Sequence, residues 1–408
     1  MKVVVIGAGK AGTEAAREAA RAGASVTLVD SLDTRLPDWQ SWPGFIRGGR
    51  GTLASDARPP PPGVTQAFGA RIVSIAHGSA TAAGGRSFNA DAFVVATGPG
   101  FEHLPLEGRR KAGVSVLDSP EGYGGLGRDM ASAERVVVSG EGARGLQVAE
   151  AVAAGGRRVT LFVSSWQHRR PSSLAAEVLF AAAGRRGVAV RQGRVDRALG
   201  ARRLEAVLDQ GEVVPCDALA MVPRRVPRGI PGQVAEGRHG GARVGLDMRT
   251  SAPGVFSAGG CAELAEGLPP HATLEDEQGP SGRVAGANAT GSTVRISASR
   301  RASCSVFGLE WVCIGADVPA ARAAGLDAVA FGMRGDETSS CTLVYTRASG
   351  TVLGLEVVGG QSRSEPAIPR MGLPATLRSL AYDDQLGSSD ISMVSETARL
   401  GLEAWSKS

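Results

Sequence analysis

The chain has 408 residues, 43% of them hydrophobic, and a formal net charge of +5, which predicts two or three domains with their own cores in a soluble protein. Its arginines are scattered and form no basic stripe interleaved with aromatic residues, so we expect no nucleic-acid partner. No apolar run is long enough to span a bilayer, and a strand beginning at residue 2 leaves no room for a signal peptide, which predicts a cytoplasmic location.

The first predicted elements are an apolar strand, a glycine-rich turn, an Ala-rich helix and a second strand. Gly7 permits a tight turn, Gly9 lets the backbone approach a pyrophosphate, and Gly12 lets helix and strand pack closely. Asp30, 18 residues after Gly12, is placed to accept hydrogen bonds from an adenosine ribose. This order predicts a βαβ unit that binds a dinucleotide. Its strands are predicted over residues 2–6 and 25–29.

Strand patterns follow a loop-rich stretch. Residues 71–75 and 88–93 are predicted to form a hairpin with Gly84 and Gly85 at its turn. A second buried strand, residues 93–98, ends in another glycine turn.

The glycine pattern then repeats about 130 residues along the chain. A strand over residues 135–139 leads into Gly140, Gly142 and Gly145, and a helix over residues 146–154 follows. The next strand is predicted over residues 158–163. Two dinucleotide-type units in one chain are a far more specific sign of a dinucleotide-binding protein than either unit alone.

A third glycine turn, residues 254–260, precedes a helix over residues 283–288. From about residue 298 the pattern changes, and short helices alternate with strands, which predicts a separate α+β domain. The strands of this domain are predicted over residues 305–307, 341–345 and 352–358.

Together these motifs resemble the pyridine nucleotide-disulfide oxidoreductases, in particular the coenzyme A-disulfide reductase and NADH oxidase branch. The resemblance implies an α/β fold of two Rossmann-like dinucleotide-binding domains, with the NAD(P) domain inserted into the FAD domain, and a C-terminal α+β dimerisation domain. The implied boundaries are 1–117 and 246–297 for the FAD domain, 118–245 for the NAD(P) domain and 298–408 for the C-terminal domain.

The resemblance also implies the cofactors FAD and NADPH or NADH, a homodimer formed through the C-terminal domain, and no metal site. The residues it assigns to FAD are Gly7, Gly9, Lys10, Ala11, Gly12, Asp30, Ala96, Thr97, Gly98, Gly259, Gly260 and Cys261. The residues it assigns to NAD(P) are Gly140, Gly142, Gly145, Arg169 and Arg170.

The chain departs from the family pattern at the redox cysteine, which a disulfide reductase needs because a thiolate must attack and relay electrons. Ser41 stands at that position, and no cysteine precedes Cys216. A serine hydroxyl cannot cycle through a disulfide, so the usual disulfide chemistry is disfavoured.

A second departure concerns the flavin side. The family has an aspartate after the Ala-Gly pair of the third glycine turn, and Gly260 stands there instead. Loss of a charge-assisted hydrogen bond costs roughly 1.5–3 kcal/mol. The adjacent Cys261 is either a thiol near the flavin or a small residue packed at a helix start.

The second nucleotide site departs as well. Ala143 and Gln147 occupy positions where the family often has an aromatic residue and a glutamate. Val163 replaces the acid that selects the 2′-hydroxyl of NADH, and Arg169 and Arg170 follow. These two arginines either pair with the 2′-phosphate of NADPH or belong to a solvated loop.

Two further residues are candidates for chemistry. Lys10 lies inside the first glycine-rich turn, where it either stabilises reduced flavin or faces solvent. Tyr382 either overhangs the partner's site or is an interface aromatic. With Ser41 and Cys261 they form the set of catalytic candidates.

The resulting hypothesis is a FAD-dependent NAD(P)H oxidoreductase that reduces a non-disulfide acceptor directly. The acceptor is oxygen, a quinone, an electron-carrier protein or a small organic substrate. One alternative is a nucleotide-binding or regulatory subunit without redox turnover, and another is a disulfide or persulfide reductase that uses a relocated cysteine.

Overall fold

The computed structural model describes residues 1–32, 46, 61–76, 78–102, 105–140, 142–163, 171–230, 234–265, 277–296, 301–360, 375–376 and 392–406. Its strands are β1 Lys2–Ile6, β2 Ser25–Val29, β3 Val64–Ala67, β4 Ile72–Ala76, β5 Ser79–Ala82, β6 Ser87–Asn89, β7 Ala92–Val95, β8 Gly100–Glu102, β9 Val114–Val116, β10 Arg135–Gly140, β11 Arg158–Val163, β12 Val188–Gln192, β13 Arg197–Leu199, β14 Ala206–Asp209, β15 Glu212–Pro215, β16 Ala218–Val222, β17 Arg224–Val226, β18 Ala242–Val244, β19 Val255–Ser257, β20 Ala262–Leu264, β21 Arg301–Val306, β22 Leu309–Gly315, β23 Ala328–Asp336, β24 Ser339–Thr346, β25 Thr351–Gly360 and β26 Ala375–Thr376. Its α-helices are α1 Lys10–Arg21, α2 Pro120–Asp129, α3 Gly142–Ala153, α4 Ser173–Arg185, α5 Gln278–Ala289, α6 Val318–Ala323 and α7 Ser392–Ser406.

The chain forms two compact units. The first comprises residues 1–42, 51–102 and 225–298, and the second comprises residues 43–50, 103–224 and 299–408. The finer division into FAD, NAD(P) and C-terminal domains remains a prediction.

The first unit is built on a five-stranded parallel sheet of order β19-β7-β1-β2-β3. Alternate residues of β1 point to opposite faces, as in any strand. Val3 and Val5 pack with the alanines of α1 and α5, whereas Val4 and Ile6 pack with the small antiparallel sheet β4-β5-β6. The sheet is therefore buried on both faces, and its carboxyl edge is the place where ligands of such sheets bind.

Helices α1 and α5 approach each other closely because glycines line their contact. A Cβ atom on Gly282 would overlap the carbonyl oxygen of Ala11, and one on Gly286 would overlap that of Ala15. The glycines four residues apart in α5 therefore lie on one face of the helix and let the two backbones meet.

The second unit contains a parallel sheet of order β12-β11-β10-β16-β9. The antiparallel strands β13-β14-β15 share a core with one of its faces, which includes Val137, Leu219 and Met221. Helix α3 packs on β10 and β11. Both units thus carry the strand–glycine turn–helix arrangement, and the predicted fold class is confirmed.

The same unit includes an antiparallel sheet of order β21-β22-β25-β24-β23, with β26 beside β25 and α7 packed on β23 and β24. Glu356 of this sheet accepts hydrogen bonds from the backbone N–H of Ser172 at 3.0 and 3.2 Å and from Nε1 of Trp311 at 2.8 Å. Ser172 is the N-cap of α4, so a carboxylate is placed at a helix N-terminus, where negative charge is favourable.

The predicted hairpin was wrong in its pairing. Gly84 and Gly85 lie between β5 and β6, and β4 pairs with β5 rather than with residues 88–93. The pattern missed β5 because its sequence Ser-Ala-Thr-Ala lacks the large apolar residues that mark strands.

Helices α3 and α5 begin four and five residues earlier than predicted. Within the described ranges, no helix has the length and apolarity that a membrane crossing requires.

Candidate functional site

The first glycine turn joins β1 to α1 at the carboxyl edge of the first unit's sheet. Gly7 has a φ of 108°, and a Cβ atom there would overlap the carbonyl oxygen of Ala96. A Cβ atom on Gly12 would overlap the carbonyl oxygen of Gly7. Glycine is therefore required at both positions, by backbone conformation at Gly7 and by close packing at Gly12.

Gly9 differs from these two glycines because it borders open space. A Cβ atom on Gly9 would have no neighbour within 4 Å, and its φ of −69° is open to any residue. Gly9 is the N-cap of α1 and makes no side-chain cap, and the first turn of α1 contains no acidic residue. The amides at this helix start are thus arranged to receive an anion such as a pyrophosphate.

Asp30 lies at the end of β2, beside the same turn. Its Oδ2 accepts a hydrogen bond from the backbone N–H of Ala8 at 2.6 Å, and its Oδ1 accepts one from Leu32 at 2.9 Å. The carboxylate therefore fixes the glycine turn, and each oxygen retains a lone pair that can accept from a ribose hydroxyl.

The third glycine turn meets the first one. Gly259, with a φ of 72°, donates its N–H to Oγ of Ser281 at 3.1 Å, and a Cβ atom on Gly259 would lie 2.8 Å from Cβ of Ala11. A Cβ atom on Gly279, in the first turn of α5, would lie 3.8 Å from Cε of Lys10. The N-termini of α1 and α5 therefore converge at this edge, with the lysine between them.

Gly260 and Cys261 belong to the same short 3₁₀ turn. A Cβ atom on Gly260 would lie 2.8 Å from Cδ of Pro99. Cys261 is fully buried, and its Sγ donates to the carbonyl oxygens of Val95 and Ala258 at 3.5 and 3.3 Å. This placement favours a packing role for Cys261.

The second unit repeats the turn at the carboxyl end of β10. A Cβ atom on Gly140 would overlap Cβ of Val222, so close packing of β10 against β16 requires glycine there. Gly142, with a φ of 59°, begins α3, and Gly145 lies in its first turns. Val163 ends β11, the strand where adenosine ribose selection takes place in such folds.

Arg144 is a residue that the sequence predictions missed. Its Nη2 donates to the carbonyl oxygen of Leu117 at 3.2 Å and to the hydroxyl of Tyr123 at 2.9 Å. The available signal was a cation in the first turn of a helix, where positive charge is mildly unfavourable without a partner.

Four predicted site residues lie outside the described residues, so their placement stays a prediction. They are Ser41, Arg169, Arg170 and Tyr382.

The cysteines are arranged as packing residues. All five are buried, and none of them forms a disulfide. Burial raises the pKa of the Cys216 and Cys341 thiols to about 12. A thiol with such a pKa holds almost no thiolate at neutral pH, and the thiolate is the nucleophilic form.

These glycine turns can be compared with known proteins. Residues 1–282 match the family described as pyridine nucleotide-disulphide oxidoreductase. The chain belongs to this family. Members of the family are FAD-dependent NAD(P)H oxidoreductases, so the predicted enzyme class and the predicted cofactors, FAD and NAD(P)H, are confirmed at the level of the family.

Two curated members of the oxidoreductase family are similar in sequence. A rubredoxin-NAD(+) reductase of Pseudomonas putida is 30% identical over 206 residues, which cover 48% of this chain and 53% of that protein. A rubredoxin-NAD(+) reductase of Ectopseudomonas oleovorans is 26% identical over 282 residues, which cover 64% of this chain and 72% of that protein. The chain thus spans about half the length of the first relative.

Solved structures of the family share the fold. A NAD-dependent persulfide reductase from A. fulgidus has a TM-score of 0.85 at 21% identity, covering 100% of this chain and 84% of that one. A water-forming NADH oxidase from Lactobacillus brevis has a TM-score of 0.84 at 19% identity, covering 100% of this chain and 99% of that one.

The residues of the first unit fit the ADP half of FAD. The cradle at Gly9 is open where a pyrophosphate needs room, and Gly7 and Gly12 allow the turn that forms it. The Asp30 carboxylate lies beside this turn, where it can accept hydrogen bonds from a ribose. The carboxylate that the resemblance places at position 260 is missing, and Pro99 covers that position.

Proposed function

We propose that this member of the oxidoreductase family takes electrons from NAD(P)H and passes them directly to a small electron-carrier protein of the rubredoxin kind. The observation that carries the proposal is the state of the thiols. By the family resemblance Ser41 stands at the position of the redox cysteine, and all five cysteines are buried and outside any disulfide. Without a usable thiol, electrons have no disulfide relay and must leave from the flavin itself. The two curated relatives, both rubredoxin-NAD(+) reductases, support a carrier as the acceptor.

The chain's own residues supply binding and electrostatics in this proposal. The amides at the start of α1 hold the pyrophosphate over Gly9, and Asp30 holds the adenosine ribose. Lys10 and the N-terminus of α5 place positive charge at the same edge, which favours a cofactor that becomes more negative when reduced. Bound FAD would supply the conversion of a two-electron hydride into electrons for the acceptor.

The test is an anaerobic reduction followed by competing acceptors. The purified protein with its flavin is titrated with NADH or NADPH until the visible flavin absorbance bleaches. Oxidised rubredoxin, oxygen, a quinone and glutathione disulfide are then added in separate experiments. We expect rubredoxin to restore the absorbance fastest and the disulfide to leave it bleached. Fast reoxidation by the disulfide together with no response to rubredoxin would overturn the proposal.

The same experiment separates the enzyme from a regulatory subunit. A protein that binds FAD but is bleached by neither nucleotide supports the regulatory alternative.

The homodimer through residues 298–408 is part of the proposal, and the molecular mass in solution tests it.

We further propose NADPH as the preferred donor, because Val163 carries no charge to repel a 2′-phosphate and two arginines follow in the sequence. Changing Arg169 and Arg170 to glutamine tests this preference. The variant is expected to lose bleaching rate with NADPH and keep it with NADH. An unchanged ratio of the two rates would contradict it.

A further inference from the structure

One surface of the second unit combines two segments that are far apart in the sequence. Residues 107–112 precede β9, and residues 197–205 comprise β13 and the loop that follows it. The backbone N–H of Ala112 donates to the carbonyl oxygen of Arg202 at 3.1 Å, and that of Leu204 donates to the carbonyl oxygen of Ala112 at 2.9 Å. The two segments therefore lie side by side and form one surface, although about 90 residues separate them in the chain.

Basic side chains outnumber acidic ones on this surface. Six cations and two acids give it a formal charge of +4, against +5 for the whole chain. The acids are Glu107 and Glu205. The cations, which together define the basic patch, are Arg109, Arg110, Lys111, Arg197, Arg202 and Arg203.

Most of the charge of the basic patch is not neutralised by the protein itself. Three exposed members, Arg109, Arg110 and Arg202, form no ion pair with any residue that the structure describes. The Nζ of Lys111 donates to two backbone carbonyl oxygens of the loop after β13, at 2.6 and 3.1 Å. These bonds hold the lysine in place, but no carboxylate balances its charge.

The other two members of the basic patch have acidic neighbours. Arg197 pairs with Glu107 at 2.7 Å, and Arg203 lies 3.9 Å from Asp129. Four like charges remain around these pairs, and like charges that lie close together repel one another. Because this repulsion does not stabilise the fold, the basic patch points to a negatively charged partner.

The composition of the surface distinguishes between classes of anionic partner. Neither segment contains an aromatic residue on which a nucleic-acid base could stack. Its two leucines, Leu199 and Leu204, are not exposed, so the surface offers no large apolar side chain to a lipid interface. Five of the six cations are arginines, whose planar guanidinium pairs with a carboxylate through two hydrogen bonds. The surface therefore fits an acidic protein best.

We propose that the basic patch is a docking surface for an acidic protein. The identity of that protein as the electron carrier rests on the proposed function. Charge complementarity of this kind raises the rate of encounter more than the final affinity, and salt screens it. Such a complex is short-lived, which suits a carrier that must dissociate after each encounter.

The experiment measures binding rather than turnover. A rubredoxin of net negative charge is titrated by calorimetry into the flavin-loaded protein, at low salt and at about 1 M salt, where the Debye length is about 3 Å. The variant is Arg110→Gln combined with Arg202→Gln, which changes one exposed residue in each segment. Its Kd is expected to rise about 3- to 10-fold at low salt and to match the wild type at high salt. Bleaching of its flavin by NADPH or NADH should keep the wild-type rate.

The matched control is Arg185→Gln combined with Arg186→Gln. These exposed arginines lie at the end of α4 in the same unit, and Arg186 reaches the turn between β21 and β22. The control removes the same two charges from another part of the surface, so we expect its affinity for rubredoxin to stay within about twofold of the wild type. Equal losses in the two double variants would show an effect of net charge alone and overturn the docking surface, as would an unchanged affinity in the first variant.

Phosphatidylserine vesicles and a single-stranded oligonucleotide are titrated in parallel. If the first variant weakens the binding of either one more than that of rubredoxin, the assignment to an acidic protein is overturned. Binding that depends on the two arginines without any reduction of rubredoxin would reject the proposed function and retain the docking surface. Reduction of rubredoxin by a variant with unchanged affinity would reject the docking surface and retain the function.

Discussion

The position that a Cβ atom on Gly260 would occupy lies 2.8 Å from Cδ and 3.1 Å from the backbone N of Pro99. Real Cβ atoms do not approach other heavy atoms below about 3 Å, because repulsion rises steeply there. The resemblance places a flavin-binding aspartate at this position, yet the ring and backbone nitrogen of Pro99 leave no room for its Cβ atom. Gly260 and Pro99 thus act as a packed pair, and the missing carboxylate is a feature of the local packing.

Introducing an aspartate at position 260 should therefore not strengthen FAD binding. Gly260→Asp and Gly260→Ala are both expected to destabilise the protein by roughly 1–3 kcal/mol through overpacking, and neither should tighten FAD binding. Chemical unfolding and FAD titration check this. A double variant with Pro99→Ala should recover part of the lost stability. Tighter FAD binding in Gly260→Asp alone would contradict the steric account.

The glycines of the first turn should separate folding from cofactor binding. Gly12→Ala is expected to unfold the turn or cost roughly 1–3 kcal/mol, because the new methyl overlaps a backbone carbonyl. Gly9→Ala should change stability by less than about 1 kcal/mol but weaken FAD binding, because its methyl enters the phosphate cradle. Thermal melts of the apoprotein and FAD titrations measure the two effects. Unchanged FAD affinity in Gly9→Ala would show that Gly9 does not border the cofactor.

The buried cysteines should take no part in catalysis. Native protein is expected to react with a thiol reagent only after unfolding, since all five thiols are buried and those of Cys216 and Cys341 have pKa values of about 12. Cys261→Ser should retain flavin content and the rate of electron transfer to a carrier within about twofold, less than 0.5 kcal/mol of barrier. Loss of turnover with flavin retained would restore Cys261 as a redox thiol.

The pH dependence of stability should carry a signature of Asp217. Its hydrogen bond with the Arg135 guanidinium, at 2.8 Å, holds its pKa at about 2, below the value of about 3.9 expected in the unfolded chain. A lowered folded-state pKa means that the stabilisation is present above about pH 4 and is lost as the pH falls toward 2. The stability difference between the wild type and Asp217→Asn should therefore shrink over that window.

Urea unfolding from neutral pH to about pH 2.5, below the unfolded pKa, measures this difference. Glu212→Gln is the control, because Glu212 pairs with Arg191 at 2.6 Å on an exposed surface, where ion pairs contribute little. A constant difference between the wild type and Asp217→Asn across the window would contradict the prediction.

The sequence alone determined the two βαβ units and their glycine turns. Their signals are local, because a strand, a turn and a helix that adjoin in the chain also adjoin in space. Gly7 and Gly12 were predicted for the right reasons, since a tight turn and a close helix constrain residue type wherever they occur. The sequence did not predict β5, because its small residues do not form the apolar pattern typical of a strand.

Only the tertiary structure decided the contacts between distant segments. Pro99 covers Gly260 because β7 and β19 are neighbours in one sheet, although they are far apart in the chain. Ser139 lines a pocket because β9, β10 and β16 end at one edge. Spacing along the chain cannot encode such distances, because strand order and packing set them. The glycine turns thus indicated the dinucleotide cofactors, and the packing around them determined which side chains border each turn.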